Sequence, residues 1–247
     1  YETTVASDIP SKYELISTPA NASGTMTESQ IVVTYYYRLK DTSVLVHHYI
    51  KDTTTSLSAD VTINGKVDSS YTTTPATNIP EQYELVATPS NASGTMTEDQ
   101  IVVTYYYQLK SYPYTVNYLE KDTNEVLHEP KQGDELVYGS QVNSADEKIN
   151  IDGYNYDSAD KDVLTIGITN NVINIYYTKR TDLSYTVNYL EKGTNAVLQT
   201  PKVQENMTFN DEVLSAGEVI KIDGYNYDSA DKVSIKITTG TNVINLY

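Results

Sequence analysis

The chain repeats itself. Setting residues 1–40 against residues 71–110 gives 29 identities in 40 positions, at an offset of 70. A second cassette occurs twice at an offset of 71: YTVNYLEK begins at Tyr114 and Tyr185, and IDGYNYDSADK begins at Ile151 and Ile222. The two cassette types share a skeleton, because Val46, Lys51-Asp52-Thr53 and Leu57 stand 70 residues before Val116, Lys121-Asp122-Thr123 and Leu127. Self-similarity at a fixed period marks a chain built from repeated units, each solving the folding problem on a small scale. The units fall at 1–40, 43–110, 113–180 and 183–247, the first matching only the downstream part of the others. The chain opens at the equivalent of Tyr71 and stops at that of Tyr176, which reads as a piece of something longer. A scaffold used several times suits a stalk or a multivalent binder better than an enzyme.

Each unit reads as β structure. Residues 101–107, IVVTYYY, combine β-branched and aromatic side chains that fit a pleated, half-buried surface. Period two puts Val103, Tyr105 and Tyr107 on one face and Val102, Thr104 and Tyr106 on the other. Residues 31–37, 171–177 and 242–247 are the matching closing strands, and residues 44–50, 114–119 and 185–190 the opening ones. Turns are expected at Asn64-Gly65, Asn91-Ala-Ser-Gly94, Asp152-Gly153 and Asp223-Gly224, residue types that tolerate positive φ or bond their own backbone. No window carries a sustained helical stripe; residues 144–148 and 214–219 offer a turn or two at most. Short links between units predict a semi-rigid rod of small domains strung end to end.

Composition narrows the partners. Thirty-three acidic against seventeen basic residues give a formal charge of −16, which disfavours nucleic acid and anionic membranes. No apolar run is long enough to insert in a membrane. With no cysteine, neither a disulfide framework nor a thiolate metal site is available. The chain has 24 tyrosines, one phenylalanine and no tryptophan, so tyrosine must supply most of the aromatic core as well as any aromatic binding surface.

The run His47-His-Tyr-Ile-Lys-Asp52, Asn64-Gly-Lys-Val67, Tyr71-Thr-Thr-Thr, Asn78-Ile-Pro80, Tyr83-Glu-Leu85, Asn91-Ala-Ser-Gly94 and Val102-Val-Thr-Tyr-Tyr-Tyr107 resembles the MucBP (mucin-binding protein) repeat. The resemblance covers residues 43–110 and the downstream part of the same unit at 1–40. The units from Tyr114 onward are similar to divergent repeats of the same kind, with IDGYNYDSAD replacing the middle segment. What the resemblance implies is a mainly β, β-grasp-like unit in a secreted, cell-wall-anchored Gram-positive surface protein; the region itself is expected to be a monomer. The partners it implies are host mucin glycoproteins or other glycans. It carries over no binding site.

Candidate chemistry is sparse. His47 and His48 are neighbours on a strand, so they point to opposite faces and share no ion. Asp157 and Asp160, with Asp228 and Asp231 in the twin unit, are candidate calcium ligands, although their spacing is not that of an EF-hand loop; no other cofactor is indicated. For a sugar's apolar face the candidate platforms are Tyr36 and Tyr106, opposite the core face of their strands, and Tyr154 and Tyr225 beside the Asp-Gly turns. Two readings follow: tandem weak glycan sites, or a non-binding stalk that projects a distal adhesive domain.

Overall fold

The computed structural model describes residues 1–247, and the chain divides into two compact units, Tyr1–Lys110 and Ser111–Tyr247. Strands dominate both. The stretches with weak helical pattern form only the single 3-10 turns Ser144–Glu147 and Ser215–Glu218. No helix is long and apolar enough to cross a membrane.

In the first unit, the second repeat carries a four-stranded sheet. Its opening strand Asp41–Ile50 pairs antiparallel with Ser56–Lys66 on one side and parallel with the closing strand Ile101–Leu109 on the other. Tyr83–Leu85 completes the sheet, antiparallel to the closing strand. This is the strand order of a β-grasp-like unit, formed here without an α-helix. Alternation does the sorting: Val44, Val46 and His48 from the opening strand and Val103, Tyr105 and Tyr107 from the closing strand are all buried, while the residues between them face outward. Tyr71 and Met96 close the core from the other side. Asn64-Gly65 is not a turn. Both residues lie inside the strand, opposite Ser43 and Thr42. The glycine serves close approach instead, since a β-carbon at 65 would run into the Met96 thioether.

The first repeat is built on less. Its one ladder is Tyr13–Leu15 against Tyr37–Leu39, so the closing strand expected over 31–37 forms only at its end. With no opening strand beside it, the segment 31–36 makes no ladder. Val33, Tyr35 and Tyr37 are half-buried where their counterparts Val103, Tyr105 and Tyr107 are sealed. The Tyr37 hydroxyl is buried with no partner, whereas that of Tyr107 meets the Ala76 N–H at 3.1 Å and His48 Nδ1 at 3.2 Å. Contacts to the second repeat are made from either side of this segment: Lys12 with Asp68 at 2.6 Å, Ser11 donating to Glu98 at 2.5 Å, and the Val67 N–H donating to the Lys40 carbonyl at 3.1 Å.

In the second unit, the third repeat repeats the sheet order with Val126–Gln132, Thr115–Glu120, Val172–Lys179 and Tyr154–Ala159. Its edge strand is six residues long, twice the length of Tyr83–Leu85. The main sheet of the fourth repeat has three strands, Val197–Met207, Leu183–Leu190 and Val243–Leu246, with the edge reduced to a bridge between Ala230 and Leu246. Both repeats bury a glutamate that the second repeat lacks. Glu147 accepts from the Tyr114 hydroxyl at 2.9 Å and Lys131 at 2.5 Å, and Glu218 from Tyr185 at 2.7 Å and Lys202 at 2.6 Å.

Candidate functional site

The outward face of the second repeat's sheet gathers its exposed aromatics. On the closing strand, Tyr106 is 42% exposed. Parallel pairing sets Tyr49 beside Tyr106 and His47 beside Thr104. The His47 ring stacks on Tyr49, with centroids 4.8 Å apart and planes within 17°. Asp60 Oδ1 lies 2.8 Å from His47 Nδ1, off the line of a well-aligned hydrogen bond. Because the edge strand stops at Leu85, Tyr106 and Val86 border a shallow groove of about 650 Å³ closed by the turn at residues 51–54. Asp52 makes that turn with φ of 60°. The groove offers one flat aromatic wall, an aliphatic patch, the Thr54 hydroxyl, the Asp52 carboxylate and the Lys51 ammonium, while the Thr53 hydroxyl is taken up within the turn. Such a set can stack on a sugar ring and bond its hydroxyls.

The four tyrosines singled out from the sequence are not equivalent. Tyr36 is 67% exposed but sits in the unladdered segment of the first repeat, away from any counterpart of the 51–54 turn. Tyr154 is half-buried, because Phe209 of the next repeat packs edge-on against it at 5.6 Å and over Gly153. Burial also pushes its hydroxyl above the ordinary tyrosine range, so it offers no open platform. Tyr225 is 47% exposed and its hydroxyl reaches Glu191 at 3.4 Å. It lines a cavity of about 300 Å³ with Tyr189, Ile220, Ile222 and Tyr247. In the third repeat the corresponding space belongs to Tyr177, a fully buried side chain whose hydroxyl bonds both backbone groups of Ile149.

The four aspartates have protein partners. Asp157 pairs with Lys121 at 2.6 Å and accepts from Ser158, which together hold its carboxyl below the usual range; Asp228 is paired in the same way with Lys192 and Ser229. Asp160 accepts from the backbone N–H of Asn174 at 2.9 Å and from its side-chain amide at 3.1 Å. Asp231 does the same for Asn245 at 2.8 and 3.0 Å. These two carboxylates thus extend the ladder of the closing strand. No three His, Asp or Glu side chains converge on a common point. A related device runs through all four repeats: the side chains of Asn21, Asn91, Lys161 and Lys232 each donate to the carbonyl of a closing-strand valine.

Sequence reasoning missed His47 and Tyr49 as members of the outer aromatic face. Alternation within one strand gives the face of Tyr106, but only the parallel register between two strands brings Tyr49 alongside it. The divergent repeats change this face. Asn117 and Asn174 bond each other at 2.8 Å where His47 and Thr104 stand, and Leu119 takes the place of Tyr49. The turn lysine is free of any ion pair in the second repeat but tied to Asp157 in the third and Asp228 in the fourth.

Comparison with known proteins agrees with the first two repeats. Residues 1–38 and 43–108 match the model of the MucBP domain. Those two stretches are MucBP repeats. Over 94% of its length it is 33% identical to Internalin J of Listeria monocytogenes serotype 4b, of which it covers 26%. Over 69% of its length it is 33% identical to Internalin J of Listeria monocytogenes serovar 1/2a, of which it covers 20%. The chain thus spans about a quarter or less of these relatives. Among solved structures it is similar to Streptococcal High Identity Repeats in Tandem domains 3-4 from a cell surface protein, at 13% identity and a TM-score of 0.30, over 57% of this chain and 98% of that one. Mub-RV gives 13% identity and a TM-score of 0.20, over 56% and 98%.

Proposed function

We propose that this chain is the repeat region of a bacterial cell-surface adhesin, exposed outside the cell on a wall-anchored parent, that holds host mucin or related glycans through weak sites on its MucBP repeats. The observation that carries the reading is the outer face of the second repeat. A sheet whose inner face is sealed spends three aromatic rings, His47, Tyr49 and Tyr106, on the side turned to solvent, next to an open groove. An exposed cluster of this kind marks an interaction surface. One such groove binds weakly, and several carried on one wall-anchored chain raise the overall avidity without new contacts. The experiment is retention on immobilised mucin, comparing the whole chain with Tyr106→Ala and with the joint alanine variant of Tyr36, Tyr106, Tyr154 and Tyr225. Loss of retention in folded variants supports the reading. Undiminished retention by the fourfold variant removes the aromatic-platform hypothesis.

A second reading has its own observation. The third and fourth repeats lose two of the three rings: the Asn117–Asn174 and Asn188–Asn245 pairs stand at the His47 position and Leu119 and Leu190 at that of Tyr49, leaving Tyr176 and Tyr247 alone at the position of Tyr106. They suit a spacer role, so binding and stalk functions are divided between the two repeat types.

A further inference from the structure

The second repeat contains another opening, on the core side of its sheet. A cavity of about 320 Å³ lies between the strand Ser56–Lys66 and the segment 72–78. We propose that this cavity binds a single neutral sugar ring; the proposal rests on the glycan-binding reading and assigns it a second, more enclosed site. Val46, Val61 and Ile63 form an aliphatic wall, the kind of surface on which the C–H face of a pyranose lies. The facing wall is polar and uncharged: the hydroxyls of Ser58 and of the threonines in 72–78, and the amide of Asn78, which accepts from Ser58 at 2.9 Å. No charged side chain lines the cavity, which selects against acidic sugars. Its volume is near the lower end of the roughly 300–1,000 Å³ typical of small-molecule pockets, so one ring fits and an oligosaccharide does not.

His48 supplies the specific observation. It is 1% exposed, and it forms part of the cavity wall. Its Nδ1 is engaged by the Tyr107 hydroxyl at 3.2 Å, and Nε2 has no protein partner. That atom is not sealed off, because the buried side-chain polar atoms without a partner are the Tyr37 and Tyr112 hydroxyls and His47 Nδ1. Nε2 is a free hydrogen-bonding group that a sugar hydroxyl in the cavity can meet. The divergent repeats close the same place. In register, His48, Ser58 and Val61 are replaced by Tyr118, His128 and Lys131, with Lys131 held against the buried Glu147. A larger ring, a second ring and an ion pair there leave no neutral, hydroxyl-lined space. The site therefore belongs to the second repeat alone.

The test is an NMR titration of the whole chain with galactose and with N-acetylgalactosamine, using sorbitol, an open-chain polyol, as the control. The expected result is saturable shifts of the His48 ring and of amides in 72–78 at millimolar sugar, with none from sorbitol. His48→Leu, which keeps an apolar body and leaves Tyr107 its Ala76 partner, is expected to weaken binding at least tenfold. If His48→Leu loses the dispersed Val103 and Tyr105 amides, Ser58→His, which brings in the third repeat's residue at the rim, must weaken binding instead. Absent shifts, shifts matched by sorbitol, or unchanged affinity in a folded variant overturn the proposal. Mucin retention lost with Tyr106→Ala but kept with His48→Leu would leave the adhesin reading standing without this site; a parent chain that does not bind mucin at all removes the adhesin reading itself.

Discussion

At the scale of single residues, neighbours on one strand have opposite fates. Tyr105 is sealed in the core and bonds Thr73 through its hydroxyl, while Tyr106 is 42% exposed. Tyr105→Ala is therefore expected to destabilise the second repeat by about 3–5 kcal/mol, the usual range for emptying a large aromatic site. Tyr106→Ala is expected to change stability by about 1 kcal/mol or less. Urea denaturation of both variants, followed by signals from the second repeat, checks the contrast; equal losses would mean that the outer face is a packed interface. The aspartates make a second case. Since Asp160 serves the backbone of Asn174, Asp160→Ala should cost the third repeat about 1–2 kcal/mol for an unpaired strand group. Chelation with EDTA should leave thermal unfolding where it was. A fall in melting temperature on chelation would place a cation that the geometry gives no reason to expect.

At the scale of elements, the stability of a strand depends on what lies beside it. Residues 31–36 have nearly the sequence environment of 101–106, yet they form no ladder because no opening strand lies alongside. Unpaired donors and half-buried rings predict that amides in 31–36 exchange far faster than those in 101–107. Hydrogen exchange resolved by residue decides it: equal protection would mean that other chain covers this edge. The same dependence explains what could be read beforehand. Period-two alternation was enough to separate Tyr105 from Tyr106 and His47 from His48, since it is local. Asn64-Gly65 carried a strong turn signal, but packing against Met96 took the glycine for a strand. The burial of Tyr154 depends on Phe209, 55 positions later in the chain, and the place of Tyr49 depends on a parallel register that neither strand encodes alone. The two repeat types also exchange bulk across the core: His48 lies beside Tyr105 in one, and Tyr118 beside Ile175 in the other. Such complementarity decides where a cavity remains, and it shows only when both partners are placed.

At the scale of the whole molecule, the two repeat types bury different titratable groups, so acid should act on them in sequence. In the second repeat, burial lowers the His48 pKa from 6.5, with the Asp60 charge opposing that fall and His47 adding to it. A base whose folded pKa lies below its unfolded value leaves stability unaffected above 6.5. Stability then declines as pH falls from 6.5 toward the folded value, because the unfolded chain takes up a proton that the folded one refuses. The fourth repeat has a carboxylate instead. Burial alone would raise Glu218, but the hydrogen bonds from Lys202 and Tyr185 outweigh it and hold the pKa below 4.5. Its contribution is intact above 4.5 and is lost only as pH falls through the lower, folded value. The second repeat should therefore begin to weaken between about pH 6.5 and 5, where the fourth is still unaffected. Urea midpoints followed separately through Val103 and Ile244 amides at a series of pH values measure this directly. His48→Leu should flatten the second repeat's profile and leave the fourth unchanged. Loss of the fourth repeat first, or a second-repeat midpoint that stays level down to about pH 5, would show that His48 is not the group that sets the acid response.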